Sequence, residues 1–334
     1  MSLSNETRLP HEPCLDGWRG LAIAAVLEGH FAGVVPGRTG RLGVDAFFAL
    51  SGYLMAGLLF IGRQPLKTFY KRRISRILPV FLIFTLTAYG LGLLLGWPFT
   101  TAEFFASLLF LRTYVPFTPD IVRSAVPITH LWSLNVEEHA YIAMSGLRIV
   151  SFFKRRMDLV LLGIGTLAVL ISLLYQLMHE AAPHWKEKGS EEACAPLMLA
   201  AGYRLWRAGR PVDRHPWLAT VATVMAVLPY MQAMAELPSL MRSGLYFGAP
   251  FWFAIAVNHL PESVGPLRRI VTFRPLQFVG LWSYSIYLWQ QPFYAYRQVL
   301  PGGAVVALTL ALLVSLASYY YLERPLRNWM NARW

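Results

Sequence analysis

Apolar residues in this chain gather in long unbroken runs instead of alternating with polar ones. Runs near 18–36, 43–61, 77–96, 131–150, 158–178, 193–208, 216–235, 240–258, 276–297 and 303–322 are separated by charged residues, Gly and Pro. About 20 apolar residues at a rise of 1.5 Å cross a hydrocarbon core ~30 Å thick. Strands of a membrane barrel would instead read as short alternating stretches. The pattern therefore predicts an all-α, polytopic integral membrane bundle of about ten transmembrane helices. A further apolar piece, 102–112, is too short to cross and runs into Pro116, Pro119 and Pro127, so it reads as an interfacial or re-entrant helix.

Composition agrees with this reading. Of 334 residues 56% are hydrophobic and 14% charged, with a mean hydropathy of +0.44, whereas soluble domains carry about a quarter charged residues. The net charge of +12 first suggests a nucleic-acid partner, but the basic residues cluster between apolar runs. Arg63, Lys67, Lys71, Arg72, Arg73 and Arg76 lie between runs two and three; Lys154, Arg155 and Arg156 follow run four; Arg204, Arg207, Arg210 and Arg214 follow run six. Arg268, Arg269 and Arg274 precede run nine, and Arg324, Arg327 and Arg333 follow run ten. With the amino terminus inside, all of these fall on the cytoplasmic side, as the positive-inside rule requires. The expectation is a single domain over 1–334, with cytoplasmic ends at 1–14 and 323–334 and no nucleic-acid partner. The polar start points to a retained first span instead of a cleaved signal. Cys14 and Cys194 have no partner spacing, so neither a disulfide framework nor a metal site is expected.

Candidate chemistry begins with Arg19 and His30, eleven residues apart in the first run. Eleven helical steps of ~100° return to within roughly 20° of the start and rise about 16 Å. One helix face would then carry a guanidinium near the cytoplasmic boundary and an imidazole deep in the membrane. Arg19 alone is explained by snorkelling, and His30 alone by a hydrogen bond to a neighbouring helix; a shared face favours a joint role. An ionisable residue inside a span is a functional candidate, and histidine is suited to moving a proton near neutral pH.

Four further blocks carry polar groups. In Gly43-Val44-Asp45-Ala46-Phe47-Phe48-Ala49-Leu50-Ser51-Gly52-Tyr53 small residues permit close helix contact, and Asp45 either caps a helix dipole or orients His30. Arg73 and Arg76, one turn apart on one face, either sit on anionic lipid or grip phosphates with forked hydrogen bonds. In His130-Leu131-Trp132-Ser133-Leu134-Asn135-Val136-Glu137-Glu138-His139-Ala140-Tyr141 at least one carboxylate must face protein or water. Glu137 is nearly in line with His130. Last come Ser283 to Pro292 in run nine, where Pro292 frees a carbonyl, and Glu323-Arg324-Pro325 at the end of run ten.

In this order the blocks Arg-x10-His, G-V-D-x-F-F-x-L-S-G-Y, F-x-x-x-R-x-x-R-I-x-P, H-L-W-S-L-x-V-E-E, S-Y-x-I-Y-L-W and E-x-P resemble the membrane-bound acyltransferase family 3, from about Leu15 to Pro325. The resemblance implies an O-acyltransferase of a bacterial inner (cytoplasmic) membrane. Such a protein moves an acyl group, commonly acetyl, from cytoplasmic acyl-CoA to a hydroxyl of a carbohydrate such as a cell-surface polysaccharide, lipopolysaccharide sugar or glycolipid. It implies His30, Asp45 and Glu137 as catalytic residues and Arg19, Arg73 and Arg76 as the acyl-CoA site. Glu138, Ser51 and Ser133 are supporting residues, with Ser51, Ser133 or backbone amides expected as oxyanion donors. Acyl-CoA is a co-substrate, no cofactor is permanently bound and no metal is expected.

The chain departs from the family pattern in three places. Gln290 follows Trp289 where the family commonly has histidine, Glu138-His139-Ala140-Tyr141 replaces E-Q-F-Y, and Trp18 replaces an aliphatic residue. The esterase-like carboxy-terminal domain of some relatives is also absent from the sequence read, so any second step is expected of another protein. Two other functions fit the same residues: a proton-coupled transporter or flippase of a glycoconjugate, and O-acylation of a small molecule such as a macrolide.

Overall fold

The structure, a computed structural model, describes residues 12–33, 38–115, 124–150, 156–179, 189–210, 215–231 and 237–333. Residues 1–11, Pro116, Pro119, Lys154, Arg155, Arg214 and Trp334, and the tails of runs one and seven, lie outside the described residues.

Within them the fold is all-helical, as predicted. In chain order the helices are α1 (Pro13–Leu27), α2 (Thr39–Ala56), α3 (Leu66–Leu95), α4 (Thr101–Leu108), α5 (Leu131–Ile149), α6 (Met157–His179) and α7 (Ser190–Ala193). Then follow α8 (Ala195–Ala208), α9 (Leu218–Val227), α10 (Ser239–His259), α11 (Gly265–Val271), α12 (Arg274–Ala295), α13 (Gly303–Ser318) and α14 (Arg324–Arg333). Each of the ten apolar runs holds a helix. Thr39–Ile61, Leu66–Leu95, Met157–Met178, Leu240–Glu262 and Gly303–Arg333 are long and apolar enough to cross a membrane. Leu93, Leu94, Leu170 and Leu174 point outward from them, as lipid-facing residues do.

Local sequence sets the ends. Pro13 opens α1 at a position where its missing N–H costs nothing. Thr100 and Glu103 form a capping box on the short α4, the piece expected not to cross. Gly96, at φ 69°, closes α3 in the left-handed region that glycine tolerates. The basic block Phe69–Pro79, read as a flank of the third span, is instead continuous with it in the 30-residue α3.

Two helices do not keep the ideal phase where it matters. α1 runs into a π-helical turn at Glu28–Ala32, and α2 into another at Gly57–Ile61. Their i→i+5 bonds, Gly33 N–H to the Glu28 carbonyl (2.9 Å) and Gly62 N–H to the Gly57 carbonyl (2.7 Å), widen the helix.

At the centre α1 packs on α2 and α12, and α2 on α8. Glycine makes the closest of these crossings possible. A Cβ on Gly280 of α12 would lie 1.9 Å from the Asp16 carbonyl oxygen of α1, and one on Gly52 of α2 would lie 1.9 Å from the Leu197 oxygen of α8. Backbones in such contact gain dispersion energy that lipid does not offer in exchange. The small residues of the second block serve this purpose, except Ser51, which faces inward.

Candidate active site

Helices α1, α2, α3, α5 and α12 enclose a cavity of about 300 Å³. α1 contributes Arg19, α2 contributes Ser51, and α3 contributes Arg72, Arg73 and Arg76. α5 adds Ser133 and Glu137, and α12 adds Tyr284 and Tyr287, while Phe47, Leu54, Met55 and Leu58 supply apolar wall. Six of the nine sequence-predicted residues therefore line one space. Arg72 is an addition that sequence reasoning passed over, although it sits in the same basic run.

The polar groups of this cavity are ordered among themselves. Arg73 forks onto Glu138, with Nη2 at 2.7 Å and Nε at 3.1 Å from Oε1, and its guanidinium lies 3.5 Å over the Tyr141 ring. Glu137 stands 3.9 Å from Arg73 and accepts from Ser51 Oγ (2.8 Å) and from the Tyr141 hydroxyl. Arg19 pairs with Asp16 at 2.7 Å. Four arginines lining the cavity against one carboxylate in its wall make this space a place for an anion. Arg73, held by Glu138, is the most rigid of them.

His30 does not line the cavity. The π turn at Glu28–Ala32 begins two residues before His30 and shifts its phase relative to Arg19 by only a few tens of degrees; the rise of about 16 Å along the helix is what separates it from Arg19. His30 instead stacks on Tyr294 at a centroid distance of 4.3 Å, and its Nδ1 lies 2.8 Å from Gln290 Oε1. A carboxamide oxygen only accepts, so Nδ1 carries a proton in this arrangement. Gln290 is fully buried; its Nε2 faces Gln291 Oε1 at 3.5 Å, and Gln291 Nε2 donates to Thr129 Oγ1 at 2.7 Å. The residue that departs from the family pattern is thus the one holding the histidine.

Two expected pairings are corrected. Asp45 does not orient His30: it accepts from Arg41 Nε at 3.1 Å, one turn back on α2, and from the Tyr230 hydroxyl at 2.5 Å. Arg41 and Tyr230 hold it on a different side of α2. Glu137 does not reach His30 either, because Ser51, Tyr141 and Arg73 claim it inside the cavity.

Tyr287 and Ser133 form a polar partition at one wall of the cavity. The Tyr287 hydroxyl lies 2.6 Å from Ser133 Oγ and donates to the His130 carbonyl at 2.9 Å. The His130 ring is buried against Phe84 and Tyr287, at 5.4 and 5.3 Å between centroids, and lies within electrostatic range of His30. Among the described residues no group of three His, Cys, Asp or Glu side chains could hold a metal ion, and both cysteines are buried and unpaired.

These features describe a multi-pass helical membrane protein with an anion-receptive cavity, a buried imidazole at His130 and a half-buried one at His30. The profile of acyltransferase family 3, described as an acyltransferase domain, matches residues 12–324, and the chain belongs to that family. It is 26% identical over 95% of its length to the peptidoglycan O-acetyltransferase OatA of Listeria monocytogenes, of which it covers 56%. It is 25% identical, again over 95%, to the O-acetyltransferase OatA of Staphylococcus aureus, of which it covers 57%. The chain thus spans a little over half the length of these relatives. No solved structure matches it.

Proposed function

We propose that this chain transfers an acetyl group from cytoplasmic acetyl-CoA to a hydroxyl of a cell-surface carbohydrate, across a bacterial inner membrane. Arg19, Arg72 and Arg76 receive the phosphates of the coenzyme at the cavity mouth, and Arg73, fixed by Glu138, anchors one side. The apolar wall takes the pantetheine arm and points the thioester toward the Tyr287–Ser133 partition. Nε2 of His30 takes the proton of the acceptor hydroxyl as its oxygen attacks the thioester carbon. The carbon–sulfur bond then breaks, and the imidazolium returns the proton to the departing thiolate. Gln290 keeps His30 in the tautomer this step needs, the task a carboxylate performs in other acyl-transfer sites.

The observation that supports this reading best is the meeting of Arg19, Arg72, Arg73 and Arg76 in one apolar-walled cavity: a charged end and a greasy arm are what an acyl-CoA presents. The relatives' names supply the acceptor class, a carbohydrate hydroxyl. The test is purified protein in lipid nanodiscs with radiolabelled acetyl-CoA and muropeptide or glycan acceptors. Free thiol and O-acetylated sugar in equal amounts are expected. Thiol release without sugar product, or transport of the acceptor without thiol release, overturns the proposal.

A further inference from the structure

We propose that His130 is a catalytic residue, its imidazole N–H donating to the thioester oxygen as that oxygen becomes an oxyanion; this rests on the acyltransferase reading above. The argument starts from a donor count. Acyl transfer needs a donor aimed at the developing charge. The serines expected to serve are already engaged: Ser51 donates to Glu137 at 2.8 Å, and Ser133 is held by the Tyr287 hydroxyl at 2.6 Å and the His130 carbonyl at 3.2 Å.

His130 is the opposite case. It is 4% exposed, yet neither Nδ1 nor Nε2 has a hydrogen-bond partner among the described residues. The Leu288 carbonyl, freed by Pro292 four residues on, flanks the ring without reaching hydrogen-bond geometry. Phe84 and Tyr287 fix the ring plane. A buried polar ring with both nitrogens unmatched is costly and calls for an explanation.

Position supplies one. Ser133, one turn along α5, and Tyr287, against the ring, both line the acyl-CoA cavity, while His30 is near enough to sense the charge of His130. A thioester carbonyl brought to Ser133 and Tyr287 would approach the His130 ring that packs on Tyr287. The second imidazole that the family commonly carries after L-W is absent at Gln290; His130 brings one in from a different helix. In the transfer step His130 gives up no proton: it holds one N–H on the oxyanion while the acceptor proton travels to His30 and on to the leaving thiolate.

The test separates chemistry from packing. His130→Leu removes both unmatched nitrogens at similar volume, and His130→Gln keeps an N–H donor. The expected result for His130→Leu is a Tm equal to or above that of the wild type, an unchanged KM for acetyl-CoA and a kcat lower by roughly 100- to 1000-fold. His130→Gln should recover part of that rate. Should the leucine variant fail to accumulate, His130→Met, apolar and adaptable, takes its place. Wild-type turnover in the leucine or methionine variant overturns the inference alone. So does a lowered Tm with no recovery in His130→Gln. If the wild type makes no O-acetylated product with any acceptor, the acyltransferase reading fails and takes this inference with it.

Discussion

Two polar groups, the buried Asp45 on α2 and the half-buried His30 in the π turn that follows α1, illustrate opposite uses of polarity. Asp45 is 3% exposed and saturated: Arg41 forks onto it and Tyr230 donates to it, so its charge is neutralised where it stands. His30 is half-buried, held by a neutral amide and an aromatic face, with the orphan ring of His130 nearby. A saturated network holds helices in place and has nothing left to offer a substrate. A buried ring with both nitrogens unmatched, like that of His130, has that capacity, and the cost is carried by the rest of the bundle. The lesson is that the carboxylate in a conspicuous motif is taken up by Arg41 and Tyr230, while a glutamine that breaks the family pattern is the residue that holds His30.

The contrast can be broken in several ways, the largest first. Asp45→Ala removes the buried carboxylate that accepts from Arg41 and Tyr230 and should cost about 1–3 kcal/mol of stability. Thermal unfolding in detergent reads that loss, while acetyl transfer per folded molecule should stay near wild type; a selective loss of kcat would return Asp45 to the active site. Gln290→Leu should do the reverse, leaving Tm nearly unchanged and lowering kcat by roughly 100-fold, the lower end of what a positioned base contributes. Gln290→His restores the family residue and should keep most of the rate. Arg76→Gln removes charge-assisted hydrogen bonds worth about 1.5–3 kcal/mol, and should raise the KM for acetyl-CoA about tenfold or more without altering kcat. An unchanged KM would assign Arg76 to lipid headgroups. The smallest effect is expected from Glu138→Gln, which frees Arg73 of its counter-charge and should lower that KM slightly.

Much of the scaffold was legible in the sequence, because lipid demands long apolar helices and these are written as uninterrupted runs. The helix in each of the ten runs, the short capped α4 and the close glycine contacts of α2 all follow from local chemistry. The arginine cavity was legible too, since Arg73 and Arg76 share a helix face. Two kinds of information were not. Nothing in Glu28-Gly29-His30-Phe31-Ala32 announces the π turn to a rule that counts equal angles. Gln290, which holds His30, and Tyr230, one of the two partners of Asp45, lie 260 and 185 residues away, and a single sequence carries no sign of such pairings. Gln290 was visible only as a departure from a pattern, and His130 only as the first letter of a motif.

The account's central claim is that Nε2 of His30 carries the acceptor proton. The most direct measurement is O-acetyl transfer by purified His30→Gln in nanodiscs, normalised to correctly folded protein and run beside the wild type. A wild-type Tm and KM for acetyl-CoA with transfer reduced by roughly 10²–10⁴-fold is the predicted result. Transfer at the wild-type rate would contradict it and place the base elsewhere in the bundle.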